Sequence, residues 1–286
     1  MTDFAHLNEA ARKLLRLSDR ERMEFPVSDL WIDHSQASQT LDTLEFVMAC
    51  PRRERMMNLL LSGPEGNGKT TLVRRFQQRH PVFDLEEGGI AVPVLVVSGP
   101  PVPKEALLHD AILSALCTAL PNRSAEDKRY HVIQRLRRHM VRMLVIDDVE
   151  GLLVGKSRAH RLNLELLKYL SQAVPVTVVA VGTPAVLPVM QRNFEVASRF
   201  LTAQLPRWTL GPDGFALLEQ FERSLPLKQP SHLTELPLAA RILDQSNGTI
   251  GGIANLLRHA AIRAIADGTE KITIPGLEAG NERKLL

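Results

Sequence analysis

The sequence predicts an α/β fold: a parallel five-stranded sheet followed by a small C-terminal helical domain. Three observations carry this. Short, continuous, β-branched apolar runs alternate with helical stretches through about the first 210 residues, as strands buried on both faces do. A glycine-rich loop lies between the first such run and the helix that follows it. After about Gly211 the strand runs stop, and helical patterns succeed one another with short breaks.

Composition narrows the class. The chain has 286 residues, 44% hydrophobic and 23% charged, which excludes fibrous, disordered and low-complexity proteins. No apolar run reaches the roughly 20 residues of a membrane span; the longest, 174–181 and 143–146, are strand-length. Residues 1–6 lack the basic-then-apolar layout of a signal peptide. Cys50 and Cys117 form no metal-ligand or redox spacing. A cytoplasmic protein is expected, neither secreted nor membrane-spanning. Lys plus Arg number 35 against 32 Asp plus Glu, a net of +3. So small an excess neither requires nor forbids nucleic acid, and the placement of charge matters more than its sum.

The elements follow in order. Leu7, Ala11, Leu14, Leu15 and Leu17 give residues 5–24 a partial apolar stripe and predict a polar helix. Leu41, Leu44, Val47 and Met48 predict a second over 36–50, ended by Pro51. Strands are expected at 57–62, 92–97, 143–146 and 176–181, with a shorter fifth at 201–205. Helices at 69–79, 103–119, 125–140 and 160–173 separate them. Helices at 212–224, 235–246 and 250–266 build the second domain. The expected division is a helical extension over 1–55, the α/β domain over 56–210, the helical domain over 211–275 and a frayed tail over 276–286.

The strongest chemical signal is Gly63-Pro64-Glu65-Gly66-Asn67-Gly68-Lys69-Thr70, which fits G-x-x-x-x-G-K-[ST] with a strand before it and a helix opening at Thr71. Glycines let backbone N–H groups turn inward around phosphate oxygens, and the helix N-terminus adds partial positive charge. Lys69 can reach the β and γ phosphates, and the Thr70 hydroxyl can ligate Mg²⁺. ATP and Mg²⁺ are therefore the expected cofactors. The run Met143-Leu144-Val145-Ile146-Asp147-Asp148 delivers two acids to the carboxyl end of the sheet, where ligands of open α/β sheets bind. Asp147 is the candidate for the Mg²⁺ shell and Asp148 for orienting or deprotonating the attacking water; two capping acids at a strand end are the alternative. Thr183 ends the next strand, as a γ-phosphate sensor or as an ordinary turn residue before Pro184. In Ser198-Arg199-Phe200, Arg199 is a candidate arginine finger toward a neighbouring subunit. The basic stretch 128–142 sets His131, Arg135 and Arg138 on one helix face, suited to a phosphate backbone or to intersubunit ion pairs.

This ordering of glycine loop, acid-tipped strand, polar strand end, Ser-Arg-Phe and helical lid resembles an AAA+ ATPase. More narrowly it resembles the TniB family of transposition ATPases, relatives of TnsC. The match rests on Leu17-Ser18, Glu21-Arg22, Trp31-Ile32, the strand and loop from Leu59 to Thr70, Phe76 and Pro81. It continues through Val181-Gly182-Thr183, Ser198-Arg199-Phe200 and Pro206-Arg207-Trp208. In the lid it rests on Leu225-Pro226-Leu227, residues 246–251 and 260–265, and Ile272-Thr273.

The resemblance implies an ATPase that assembles with ATP as rings or filaments on duplex DNA without sequence preference. It also implies recruitment of a DDE transposase, sometimes with a TniQ-type adaptor, and disassembly on hydrolysis. Carried over by position, Lys69 and Thr70 bind phosphate and Mg²⁺, Asp147 ligates Mg²⁺ through water, Thr183 is the sensor and Arg199 the finger. Trp31 and Ile32 would lie near the adenine, and Lys104 would face the central DNA. Two departures stand out. Asp148 occupies a position where many AAA+ proteins carry Glu. The usual lid arginine is replaced by Ala254 and Asn255, with Arg258 a turn later. A helicase-loader-like ATPase acting on single strands is the alternative function.

Overall fold

The computed structural model describes residues 4–24, 31–51, 56–86, 88–116, 124–155 and 158–278. Seven strands form in chain order: β1 (Asn58–Ser62), β2 (Phe83–Asp84), β3 (Ile90–Ala91), β4 (Val94–Ser98), β5 (Met143–Asp147), β6 (Thr177–Gly182) and β7 (Phe200–Gln204). Five of them make one sheet in the order β4-β5-β6-β1-β7, every neighbour parallel. All residues of β1, β5 and β6 are buried, which is why their sequences are continuous apolar runs rather than alternating ones. Strand β6 lies between β1 and β5, with Ser62 opposite Gly182 and Ile146 opposite Ala180. The carboxyl ends of all three strands therefore finish nearly level. Strands β2 and β3 form a separate antiparallel pair that sequence periodicity could not reveal, since each has only two residues.

Most expected helices are present, several with matching ends: Lys69–Arg79, Pro212–Ser224 and Ile250–Ala266. One expectation fails. Residues 5–24 do not form a single helix but two, Glu9–Leu14 and Asp19–Glu24. The cause is local: the Ser18 N–H donates to Glu21 Oε2 at 2.8 Å, and the Glu21 N–H donates back to Ser18 Oγ at 3.4 Å. This reciprocal cap starts a new helix instead of continuing the old one.

By contact the chain groups into two units. One comprises Gln39–Pro64 and Lys69–Leu205; the other comprises Met1–Ser38, Glu65–Gly68 and Pro206–Leu286. The described residues before 39 thus group with the C-terminal helices, whereas the sequence set 1–55 apart. In the sheet unit, Leu60, Leu144, Ile146 and Val178 pack with Leu108, Ile112, Leu136 and Leu167 from the surrounding helices. In the helical unit, Trp208, Leu217, Phe221, Ile242, Ile253 and Leu257 form the core. Leu277 joins that core from the helix Ile274–Glu278, so ordered chain extends past 275. Residues 279–286, Cys117 and the 52–55 turn lie outside the described residues. Among the described residues no helix is long and apolar enough to cross a membrane.

The helical unit contains a buried ion pair. Arg22, fully buried, donates to both carboxyl oxygens of Glu270, at 3.0 and 2.6 Å, and to the Pro226 carbonyl at 2.9 Å. Lys228 adds a second cation at 2.8 Å from Glu270. Burial alone would push the Glu270 carboxyl up, but the hydrogen bonds from Arg22 and Lys228 outweigh it and hold its pKa down at about 2. The carboxylate therefore stabilises the fold fully above its ordinary value near 4.5. That contribution fades as pH falls from there through about 2. Arg22→Ala, which strands a buried carboxylate, should lower stability by about 3–5 kcal/mol in chemical denaturation. Glu270→Gln should flatten the acid limb of the stability profile between pH 4.5 and 2; an unchanged limb would assign acid sensitivity elsewhere.

Candidate nucleotide site

At the end of β1 the chain passes through Gly63, whose N–H donates to the Gly182 carbonyl at 3.1 Å. A Cβ on Gly63 would stand 2.9 Å from both Cβ and O of Leu205, which follows β7. Only glycine fits there. Lys69 opens the helix Lys69–Arg79 and is buried; its ammonium donates to the carbonyls of Gly63 and Pro64 at 2.8 and 2.9 Å. The next residue, Thr70, donates from Oγ1 to Asp147 Oδ2 at 2.7 Å. The level strand ends thus place a hydroxyl from the loop helix beside a carboxyl from β5. Hard oxygen donors of this kind suit Mg²⁺, so the residues present fit the cation that the sequence implies.

Around Asp147 the backbone is crowded. Its Oδ1 accepts the Asp148 N–H at 3.1 Å, and its carbonyl accepts the Gly99 N–H at 2.5 Å. Asp148 is exposed and sits in the left-handed region at φ 57°. A Cβ on Gly99 would approach the Asp148 carbonyl oxygen to 2.4 Å. Gly99 and Glu150 were both absent from the sequence-derived candidates. Glu150 opens the short helix Glu150–Leu153, and its Oε1 accepts the backbone N–H of Thr183 through a short hydrogen bond. One signal was readable: Glu150 is an acid one turn beyond Asp147. Thr183 is half-buried and turns the chain into the helix Val186–Gln191, its carbonyl accepting the Val186 N–H at 3.1 Å.

The middle of the loop belongs by contact to the helical unit. Gly66 and Gly68 take φ of 70° and 79°, a region costly for any residue with a Cβ. Asn67 between them is buried, while Glu65 and, beyond the loop, Thr71 are exposed. Also in the helical unit, Trp31 is half-buried and donates from Nε1 to Asp33 at 2.5 Å. Ile32 packs into the helical core. His34 accepts the Ala37 N–H through Nδ1 at 3.0 Å and meets the Trp208 ring edge-on at 5.1 Å. Burial holds its pKa down at about 4, so it is neutral at pH 7.

The other candidates stand apart from the loop. Arg199 precedes β7, and its carbonyl accepts the Asn58 N–H at the amino end of β1. Four residues of strand, roughly 13 Å, separate that end from the loop. Arg199 therefore does not reach the phosphate loop of its own chain along the sheet. Its Nη1 is buried without an acceptor among the described residues, beside a cavity of ≈ 650 Å³ lined by Met57, Lys168, Phe194 and Leu201. Lys104 is exposed at the N-cap of the helix Glu105–Ala115. Arg135 is half-buried and Arg138 exposed on the helix Ala125–Arg138. Other cations of the basic stretch are engaged within the chain: Lys128 with Asp110 at 2.8 Å, Arg129 with Glu105 at 2.5 Å, and Arg137 and Arg142 with the carbonyls of Ala173 and Met48. Gly99→Ala should destabilise the protein by about 1–3 kcal/mol through overpacking, measured by thermal unfolding; a neutral effect would show that the crowding at Asp147 and Asp148 relaxes freely.

Two solved structures share the fold. The Aeropyrum pernix ORC1 protein in complex with DNA is 20% identical with a TM-score of 0.66, over 93% of this chain and 70% of that one. Drosophila ORC bound to DNA is 16% identical with a TM-score of 0.63, over 100% of this chain and 69% of that one. The likeness to both is one of fold. No curated protein matches the chain. The model of the bacterial TniB protein family matches residues 22–210, from the buried Arg22 through the loop, the acid-tipped strand and Arg199. The chain belongs to the TniB family.

Proposed function

We propose that this chain is a Mg²⁺-dependent ATPase that assembles with further copies of itself, as a ring or filament, on duplex DNA. It binds without sequence preference and recruits a DDE transposase, with or without a TniQ-type adaptor, for transposon insertion in the cytoplasm. Hydrolysis disassembles the polymer. The observation that carries the ATPase reading is the hydrogen bond of Thr70 to Asp147 beneath a G-x-x-x-x-G-K-T loop, in a chain of the TniB family.

In this reading Lys69 exchanges its contacts with the Gly63 and Pro64 carbonyls for the β and γ phosphates of ATP. Thr70 and Asp147 hold Mg²⁺, which when bound neutralises phosphate charge. Asp148 orients the attacking water and takes its proton at the carboxylate. Glu150 grips the Thr183 backbone and so fixes where the Thr183 hydroxyl can meet the γ phosphate. Trp31 offers a ring face to the adenine, with Ile32 anchoring the segment in the helical core. Arg199, set at the far end of β1 from its own loop, serves the γ phosphate of a neighbouring copy. DNA contact falls to Lys104, Arg135 and Arg138. Both structural neighbours are complexes with DNA, which supports a DNA partner.

Co-sedimentation with random-sequence duplex tests the proposal. The wild-type chain should pellet with duplex only when ATP or a slowly hydrolysed analogue is present, and salt should weaken binding steeply. Lys69→Ala should lose this dependence; equal binding by that variant would refute nucleotide-gated assembly. Preference for single strands would instead favour the helicase-loader reading. Arg199→Ala should retain nucleotide affinity yet lower DNA-stimulated hydrolysis by about 10³-fold, with partial recovery when mixed with wild-type subunits. Loss of nucleotide binding by Arg199→Ala would place its role within its own chain.

A further inference from the structure

The glycine-loop pattern leaves its fifth position open, yet here that position holds a side chain with a specific set of partners. Asn67 is 4% exposed although Glu65 and Gly66 beside it are exposed. Its Nδ2–H donates to the Pro206 carbonyl at 2.9 Å, and its Oδ1 accepts the Ile250 N–H at 3.2 Å. Alongside, the Gly251 N–H donates to the Gly66 carbonyl at 2.8 Å. Ile250 and Gly251 are the first two residues of the helix Ile250–Ala266, and the third N–H, of Gly252, goes to the N-cap Thr249 Oγ1 at 3.2 Å.

Helix starts carry N–H groups with no partner inside the helix. Here the loop itself supplies acceptors for two of them. The seam is also sterically closed. A Cβ on Gly251 would lie 2.8 Å from the Gly66 carbonyl oxygen, and one on Gly68 would lie 3.3 Å from Ile250 Cγ2. A primary amide is suited to this place because it donates through nitrogen and accepts through oxygen at once; a side chain of the same size without both groups could not bridge a carbonyl and an N–H.

We propose that Asn67 is a positioning residue with two linked effects. Its amide holds Gly66 and Gly68 in the left-handed turn that a phosphate-binding loop requires. Through the same bonds, the first turn of the helix Ile250–Ala266 responds to what occupies the loop. The proposal rests on the reading of this loop as the ATP site. Phosphate oxygens drawn to the N–H groups of residues 66–68 reorient the peptides whose carbonyl and side chain accept from Gly251 and Ile250. By linkage, whatever firms that helix start raises nucleotide affinity, and the converse holds.

The test uses the full chain, a slowly hydrolysed ATP analogue with Mg²⁺, equilibrium titration, and amide hydrogen exchange over residues 248–256. In the wild type the analogue should slow exchange at Ile250 and Gly251. Asn67→Ala should bind the analogue about tenfold more weakly, which is about 1.4 kcal/mol, and should lose that slowing. Asn67→Ser keeps one hydroxyl able to make one of the two bonds; it carries the same test if the alanine variant does not fold, with an expected loss of about threefold. A merely structural role would lower the melting temperature without removing the exchange response. Wild-type affinity in both variants, or an exchange response that survives Asn67→Ala, overturns the proposal while leaving the ATP reading intact. A wild-type chain that binds no analogue overturns both.

Discussion

The contact between Thr70 and Asp147 depends on three parallel strands ending at one level. A carboxyl group buried at a strand tip needs a hydrogen-bond partner, and Asp147 has three: the Thr70 hydroxyl, its neighbour's N–H, and, for its carbonyl, Gly99. The hydroxyl and the acid come from different segments that meet because β6 lies between β1 and β5 in fixed register. Shifting one strand by a residue would exchange the side chains on its two faces and separate the hydroxyl from the acid. The continuous apolar runs are therefore more than filler for a core. They set the register that brings a hydroxyl and a carboxyl together beside the glycine-rich loop.

The helical unit solves a different problem. It gathers segments far apart in sequence: residues from 4 onward, the loop residues 65–68 and the chain from Pro206. One tie between the first and last of these is the Arg22–Glu270 pair, reinforced by Lys228. A buried pair of this kind contributes little net stability but penalises any arrangement that separates its members. In this unit it specifies which turn the helix Asp19–Glu24 packs against. It also gives a physical reason for Arg22 among the family-defining residues.

Much of this was legible in the sequence because it rests on local pattern. The strands at 143–147 and 177–182 announced themselves as short β-branched runs, and the helix 69–79 by its loop and periodicity. The break at 15–18 was legible too, since Ser18 and Glu21 have capping-box spacing, but the apolar stripe across it argued for continuity. Other features depend on neighbours that a linear reading cannot supply. Gly99 looks like a strand terminator until the Asp148 carbonyl is seen above it. Glu150 reads as a helix-opening acid until Thr183 arrives from another strand. Lys128 and Arg129 look like a solvated basic run until Asp110 and Glu105 face them. Asn67 occupies a position at which the motif permits any residue, so its role is visible only in its partners.

The left-handed backbone of Asp148 bears on why this chain carries the shorter acid. Aspartate and asparagine visit that region more readily than residues with longer side chains. A peptide held there, with Gly99 packed against its carbonyl, suits the short acid. The identity of the residue after Asp147 is thereby tied to the backbone beneath it.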